Sequence, residues 1–537
     1  MLRGLIAIAA TLAAATAGAA VVDVAVSDSG GRPAGGREVV LHNAATGFDS
    51  ASVTNASGRA RFAGVPPAPG YAVTIDGVAL ASGIRLHSNE ARAVTVTLPE
   101  AITVTAKRPR VAGAINTLDA EVSGSLHYRE LQSLPVEARD LSKALIRLPN
   151  VVPSTGFFPE APPVSINGAN GLFTQYLLDG LDNNENFLGG PKFPVSTGFA
   201  SDITVLASSY SVEYGRTGNG IVNVTSPSGS NDWFGEVFYL VRPGPPVDAS
   251  SPYPGRDLSG NAVRDGFRRD QVGVSLGGPI ARNRTFFYSN IEYTQDEKDN
   301  RLASPAMGIA GVVPGENESL LGSLKLDHHL NDRWRLSARV NHGDVTIERQ
   351  GGGLDGGVIF PSAGSVQERR STLTGFSAVY DGDRFTSETR LGWSRFVWDY
   401  AEPLGEGGPQ VTVESPDGLT AAILGHPGFT FDEQEDSLEL LQRLSWQRDV
   451  HALKLGVDAI HSDFSLAGGG NPAGNYRVRL TEAELAQVRS IERGIELGIE
   501  DIPETAEVID YAVELRPARF GADQDQIGVY FEDQVAL

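Results

Sequence analysis

Apolar and polar residues alternate along much of the second half of the chain. Trp334, Leu336, Ala338 and Val340 alternate with Arg335, Ser337, Arg339 and Asn341. Leu453, Leu455, Val457 and Ala459 alternate with Lys454, Gly456 and Asp458, and Val272, Val274 and Leu276 with Gln271, Gly273 and Ser275. Successive side chains of a strand point to opposite faces, so each segment is predicted to be a strand with one apolar and one polar face. A soluble sandwich gives the same pattern; the connections separate the two. Asn331-Asp332-Arg333, Asp381-Gly382-Asp383 and Arg448-Asp449-Val450 read as tight turns, whereas 295–318, 343–370, 399–436 and 465–523 read as long polar loops. Short turns alternating with long loops are what membrane-spanning β-barrels show. Trp233, Phe286, Phe287, Trp334, Phe385, Trp398 and Trp446 lie near strand ends, as interfacial girdles require.

The first half has another texture. Val21–Val26, Arg37–Leu41, Ala60–Phe62, Tyr71–Ile75 and Ala93–Leu98 read as strands separated by turn clusters, which predicts a small β-sandwich over 21–99. In 111–232, Asp140 is placed to cap a short helix with Leu141, Leu145 and Leu148 on one face, ended by Pro149. Within the last long loop, Thr481 and Glu484 form a T-x-x-E capping pattern, with Leu485, Val488, Ile491 and Ile495 at helical spacing. This predicts a surface helix packed on neighbouring loops.

Composition narrows the setting. Residues 1–19 have a positive start, a short apolar run and Ala17-Gly18-Ala19, the pattern of a secretory signal peptide. The chain has 537 residues, no cysteine, 62 glycines and a formal charge of −22. That charge argues against nucleic acid as a partner, and an exported, acidic, cysteine-free chain suits the envelope of a Gram-negative bacterium. Gly273–Gly277 matches G-x-S-x-G, but Gly278-Pro279 follows where a nucleophile elbow needs a helix. His328 and His329 are strand neighbours and point to opposite faces. Asp179, Asp182, Asn183, Asn184 and Glu185 carry oxygen ligands for calcium without the spacing of a calcium loop. No catalytic residue, metal site or cofactor is assigned.

Several stretches carry a family resemblance. "TNASGRARFAGVPPAPGYAVTI" resembles the carboxypeptidase regulatory-like domain. "VSINGANGLFTQYLLDGLDNN" and "EYGRTGNGIVNVTSPSGSNDWFGEV" resemble the plug domain of TonB-dependent outer-membrane receptors, and "QVGVSLGGPIARNRTFFYSNIEY" the opening barrel hairpin of the Oar-like subgroup. Asn167 stands where many plugs have Arg. The resemblance implies a mainly β chain: an N-terminal sandwich in the periplasm, a linker over 100–110, an α+β plug over 111–232, and part of an antiparallel transmembrane barrel over 233–537. From Trp233 onward the alternation gives about ten strands, too few to enclose a plug, since plugged barrels have about 22. The chain is therefore expected to be the front part of a longer one, with open sheet edges near Trp233 and Leu537.

"EAITVTAKR", Glu100 to Arg108, reads on its residues either as a last strand of the sandwich or as an exposed strand for a partner. Its position before the plug, with the resemblance, makes it the TonB box, with Glu100, Ile102, Thr103, Val104, Thr105 and Ala106 bound by TonB and its inner-membrane energising complex. The implied function is import of an extracellular ligand (siderophore, cobalamin, oligosaccharide or peptide) through a barrel set in outer-membrane lipid. Asp182, Asn183, Asn184, Glu185 and Phe187 are the expected ligand contacts. The alternative is a non-transporting surface or adhesion protein of the same architecture.

Overall fold

The computed structural model describes residues 20–535 apart from 29–30, 44–47, 56, 66–67, 76–77, 87–89, 99–121, 128–129, 132–133, 135, 155–163, 244–254, 257–261, 264–266, 332, 353–356, 383–384, 404–406, 449–450 and 516–518. The expected signal peptide and the segment Glu100 to Ala106 lie outside the described residues.

Seven strands build the N-terminal unit: β1 (Ala20–Ser27), β2 (Glu38–Asn43), β3 (Phe48–Val53), β4 (Arg59–Val65), β5 (Tyr71–Ile75), β6 (Val78–Ile84) and β7 (Ala91–Thr97). They form a β4-β1-β7 sheet and a β3-β2-β5-β6 sheet. β1 shows why they pack: Ala20, Val22, Val24 and Val26 alternate inward and are buried with Val39, Leu41, Phe62 and Tyr71. β3 and β6 are additions to the five strands expected from sequence.

An inner domain follows, with β8 (Val122–His127), α1 (Leu141–Leu145), β9 (Val151–Pro153), β10 (Val164–Ile166), β11 (Thr174–Leu178), β12 (Leu181–Asp182), β13 (Asp202–Ser208) and β14 (Gly220–Thr225). Its main sheet has the order β12-β11-β14-β13-β8, with β11 and β14 parallel. Asp140 caps α1 by accepting from the Ser142 N–H at 2.9 Å, which buries Leu141 and Leu145 against Ile203 and Val222. Asn167 donates to the Ala207 carbonyl at 2.7 Å, so its side chain serves the inner domain itself.

The rest is dominated by a ten-stranded antiparallel sheet. Along the chain lie β15 (Phe234–Arg242), the small pair β16 (Gly255–Arg256) and β17 (Ala262–Val263), β18 (Arg268–Ala281), β19 (Thr285–Ser304), β20 (Ile309–Asn331), β21 (Trp334–Arg349), β22 (Ser365–Asp381), β23 (Phe385–Ala401), β24 (Gln410–Glu414), β25 (Thr420–Gly425), β26 (Phe429–Arg448), β27 (His451–Gly470), β28 (Asn475–Arg479), α2 (Glu482–Arg489), β29 (Glu507–Ala512) and β30 (Arg519–Val535). The sheet order is β15-β18-β19-β20-β21-β22-β23-β26-β27-β30. Among the described residues β15 and β30 do not pair with each other, so both are edges. Val272, Val274 and Leu276 are exposed on the outer face, while Gln271 and Gly273 are buried on the inner one. Ser275 is thus a polar-face strand residue. His328 meets Thr285, and His329 lies beside the Phe286 ring.

At one rim the connections are tight. At the other, strands of 20 and 23 residues run on well past the 9–11 that cross a bilayer. There 295–318 is not a polar loop: β19 and β20 continue to a turn at Pro305–Gly308, because Leu302, Met307 and Val313 are buried in a shared core. That core belongs to a cap in which α2 and a β25-β24-β28-β29 sheet pack together. Thr481 and Glu484 form the expected capping box on α2, whose Leu485 and Val488 enter the cap. Trp334, Tyr380 and Phe385 cluster at the tight-turn rim. Trp398 does not belong to a girdle: it is fully buried on the inner face, where the Arg369 guanidinium lies 4.6 Å from its ring. Phe286 is likewise buried.

Candidate functional site

The inner domain meets the sheet through apolar packing and buried charge. Its core continues into Leu321, Val345, Ile347 and Leu373 of the sheet. Between β11 and β12 the dipeptide Asp179-Gly180 turns the chain with both φ angles positive, at 52° and 72°. Asp-Gly suits this turn, since Asp tolerates the left-handed region and Gly has no Cβ. The turn drives Leu181 against the wall, where Gly375 and Gly392 are directly paired. A Cβ at either glycine would lie 2.9 or 3.2 Å from a Leu181 methyl carbon, so the two glycines form a notch for this side chain.

Asp179 is held from all sides. Its carboxylate accepts from the Ser226 N–H at 2.8 Å and hydroxyl at 2.6 Å, and pairs with Arg339 at 2.9 Å. Arg339 also donates to the Leu178 carbonyl at 2.8 Å. Burial pushes the Asp179 carboxyl up, but Lys325, Arg339 and the Ser226 donors outweigh it and leave it below the ordinary range.

Asp182, three residues on, has a different environment. Arg216 lies 3.6 Å from Asp182, 2.5 Å from Glu439 and 3.3 Å from Asp458, so one guanidinium serves three carboxylates. Glu439 also accepts the Asp182 N–H at 2.8 Å. Burial raises the Asp182 carboxyl to about 6; Arg216 and Lys192 oppose the shift, and Glu439 and Glu435 add to it. Nearby, Glu213 pairs with Arg443 and with Lys454 at 2.9 Å. Burial raises its carboxyl, yet Arg443 and Lys454 prevail and hold it down at about 2.

The apical segment after Asp182 is closed on itself. Asn183 accepts the Phe193 N–H at 2.9 Å and donates to its carbonyl at 3.1 Å. Asn184 accepts the Tyr176 N–H and donates to the Thr174 and Gly189 carbonyls. Glu185 accepts backbone N–H groups of Phe187, Leu188 and Gly190 at 2.7–3.0 Å. Phe187 packs edge-on against Phe431 at 5.3 Å. Lys192 reaches Glu435 at 2.6 Å, both fully buried, with the Ser394 and Ser437 hydroxyls at 3.0 and 3.2 Å. The structure thus gathers Asp182, Asn183, Asn184, Glu185 and Phe187 at one contact between the inner domain and the sheet. Among the described residues no group of His, Cys, Asp or Glu forms a metal site.

Sequence reading did not find Lys192, Arg216, Glu435 or Glu439. Two signals were available. Glu433, Glu435 and Glu439 recur on one face of β26, and Asp-Gly between leucines marks a hairpin tip.

Comparison with known proteins matches two parts of the chain, one in the inner domain and one at the start of the large sheet. Residues 124–222 match the TonB-dependent Receptor Plug Domain and residues 225–314 the Outer membrane beta barrel domain. The chain is similar to the TonB-dependent transporter Oar of Myxococcus xanthus, 23% identical over 493 residues, covering 76% of this chain and 46% of that protein. It therefore spans about half the length of this curated relative. Among solved structures it resembles the outer membrane transporter YddB of Escherichia coli, with a TM-score of 0.55 at 14% identity over 77% of this chain and 54% of that one. This likeness shows the fold.

Proposed function

We propose that this chain is a TonB-dependent receptor, as the matches of its inner domain and of the first part of its sheet support, and that it serves in the Gram-negative outer membrane to import an extracellular ligand with energy drawn from the inner membrane. The observation that carries this reading is how the plug is seated. Arg216, Lys192 and Glu213 join it to Glu439, Glu435 and Arg443 of the wall through buried ion pairs. Attraction within such a pair is largely offset by the cost of dehydrating both charges. When the plug shifts and water enters, each charge regains its hydration. A seat of this kind holds at rest yet yields to a pull, as a gate must.

In this reading the ligand is a siderophore, cobalamin, oligosaccharide or peptide that binds beneath the cap and contacts the apical segment at Asp182, Asn183, Asn184, Glu185 and Phe187. The carboxypeptidase regulatory-like sandwich stands in the periplasm. TonB takes Glu100 to Ala106 as an added strand, through the backbone edge of Ile102, Thr103, Val104, Thr105 and Ala106. Bonds loaded together along a strand resist shear, so force reaches the plug. No covalent chemistry is required of the chain.

Val104→Pro removes a backbone donor and restricts Thr103. The expected result is surface binding retained and energised uptake abolished, measured with the nutrient whose use requires the protein. Undiminished uptake in that variant would return Glu100 to Ala106 to the sandwich.

A further inference from the structure

Glu433 lies on β26 between Phe431 and Glu435, facing the plug. It is fully buried, and neither of its carboxylate oxygens has a hydrogen-bond partner among the described residues. Its cross-strand neighbours are Trp398 on β23 and Leu466 on β27, which offer it no charge. The charged groups around it are Glu185 from the apical segment, Glu435 from its own strand, Arg369 from β22 and Lys192 from the plug. Lys192 is engaged with Glu435, and Arg369 lies over the Trp398 and Phe396 rings with its Nη2 3.4 Å from the Pro191 carbonyl. Three carboxylates thus face two cations, and all three carboxylates are buried away from water while Arg369 is half-buried. An isolated buried carboxylate is so costly that the group takes up a proton instead.

We propose that Glu433 carries the proton that makes this cluster neutral, and that withdrawal of the 184–192 segment from the wall releases it. Withdrawal removes Lys192 and Glu185, admits water and leaves Glu433 free to ionise. Seating of the apical segment is therefore linked to one proton: acid favours the seated state, and the equilibrium shifts toward withdrawal by up to about tenfold per pH unit once the exposed acid ionises. The site lies on the wall beside the segment expected to meet the ligand, so the proton reports on the same movement that binding would produce.

The Asn186 N–H donates to Glu435 at 2.9 Å, so its hydrogen exchange reads seating directly. Exchange across Asn186–Gly190 is measured against pH on the full chain in detergent and corrected for the intrinsic base-catalysed rate. The native chain should lose protection as pH rises, by up to about tenfold per unit. Glu433→Gln, which keeps the shape of the protonated acid, should stay protected throughout. A flat native profile, or the same loss of protection in Glu433→Gln, would overturn the proposal. Should that variant fail to assemble, Glu433→Asp keeps a titrating carboxyl and should move the midpoint; an unmoved midpoint overturns the proposal equally.

Discussion

Asp179 and Asp182 stand three residues apart at one hairpin tip, yet the protein treats them in opposite ways. Asp179 has its own guanidinium, a backbone donor and a hydroxyl, and its carboxyl is held below the ordinary range. Asp182 shares Arg216 with Glu439 and Glu435 lies nearby, and its carboxyl is raised to about 6. Asp179 is buried and Asp182 largely so, and the main difference lies in the number of donors per carboxylate. One anchor is fully satisfied and holds the hairpin together with Arg339. The other is an acid surplus around one cation, easily reset by protonation or movement. The proposed function, in which the plug stays folded while leaving its seat, calls for both kinds.

The largest effect should come from Asp179→Ala, which strands the buried Arg339. Breaking such a pair costs about 3–5 kcal/mol, read as a drop in the unfolding midpoint of the purified protein. Arg216→Gln should cost less, about 1–3 kcal/mol, because Asp182, Glu439 and Asp458 can take up protons in its absence. Limited proteolysis of the plug would measure it, and equal losses for the two variants would erase the distinction.

The two anchors also predict opposite limbs of a pH profile. The folded pKa of Asp182 lies above its ordinary 3.8, so its contribution is complete below that value and is lost as pH rises through about 6. Glu213, lowered from 4.5 to about 2, contributes above its ordinary value and loses that contribution as pH falls toward 2. Hydrogen-exchange protection of the hairpin at 177–183 should thus peak at about pH 4 to 5. Asp182→Asn should flatten the rising-pH limb there and leave the loss across 186–190, which follows Glu433, in place. Smallest is Thr481→Ala, which removes the cap of α2 and should cost about 1 kcal/mol. It should loosen exchange in the cap while leaving the plug unchanged.

Much of this was legible in the sequence, for reasons tied to local chemistry. Alternation at 334–341 and 453–459 identified strands because a two-residue period is set by backbone geometry alone. Asp140 and Thr481 announced their helices because a cap acts within one turn. The cap core stayed hidden: residues 295–318 look polar in isolation, and contact with Phe360, β24, β25, β28 and α2 makes Leu302 and Val313 interior. Trp398 was misassigned for a related reason, since a strand aromatic fits a lipid face or a lumen equally well until the facing plug is known. Lys192–Glu435 joins residues 243 positions apart, and no local pattern encodes such a partner.

In the proposed function the plug leaves its seat on the wall for import. The cysteine-free chain permits one direct test, Leu181→Cys with Gly392→Cys, placed where the hairpin tip fills the glycine notch. A disulfide there ties plug to wall without touching any ion pair. Uptake of the nutrient that requires the protein should cease on oxidation, with surface binding intact, and return on reduction. Uptake unchanged in the fully oxidised protein would contradict the account.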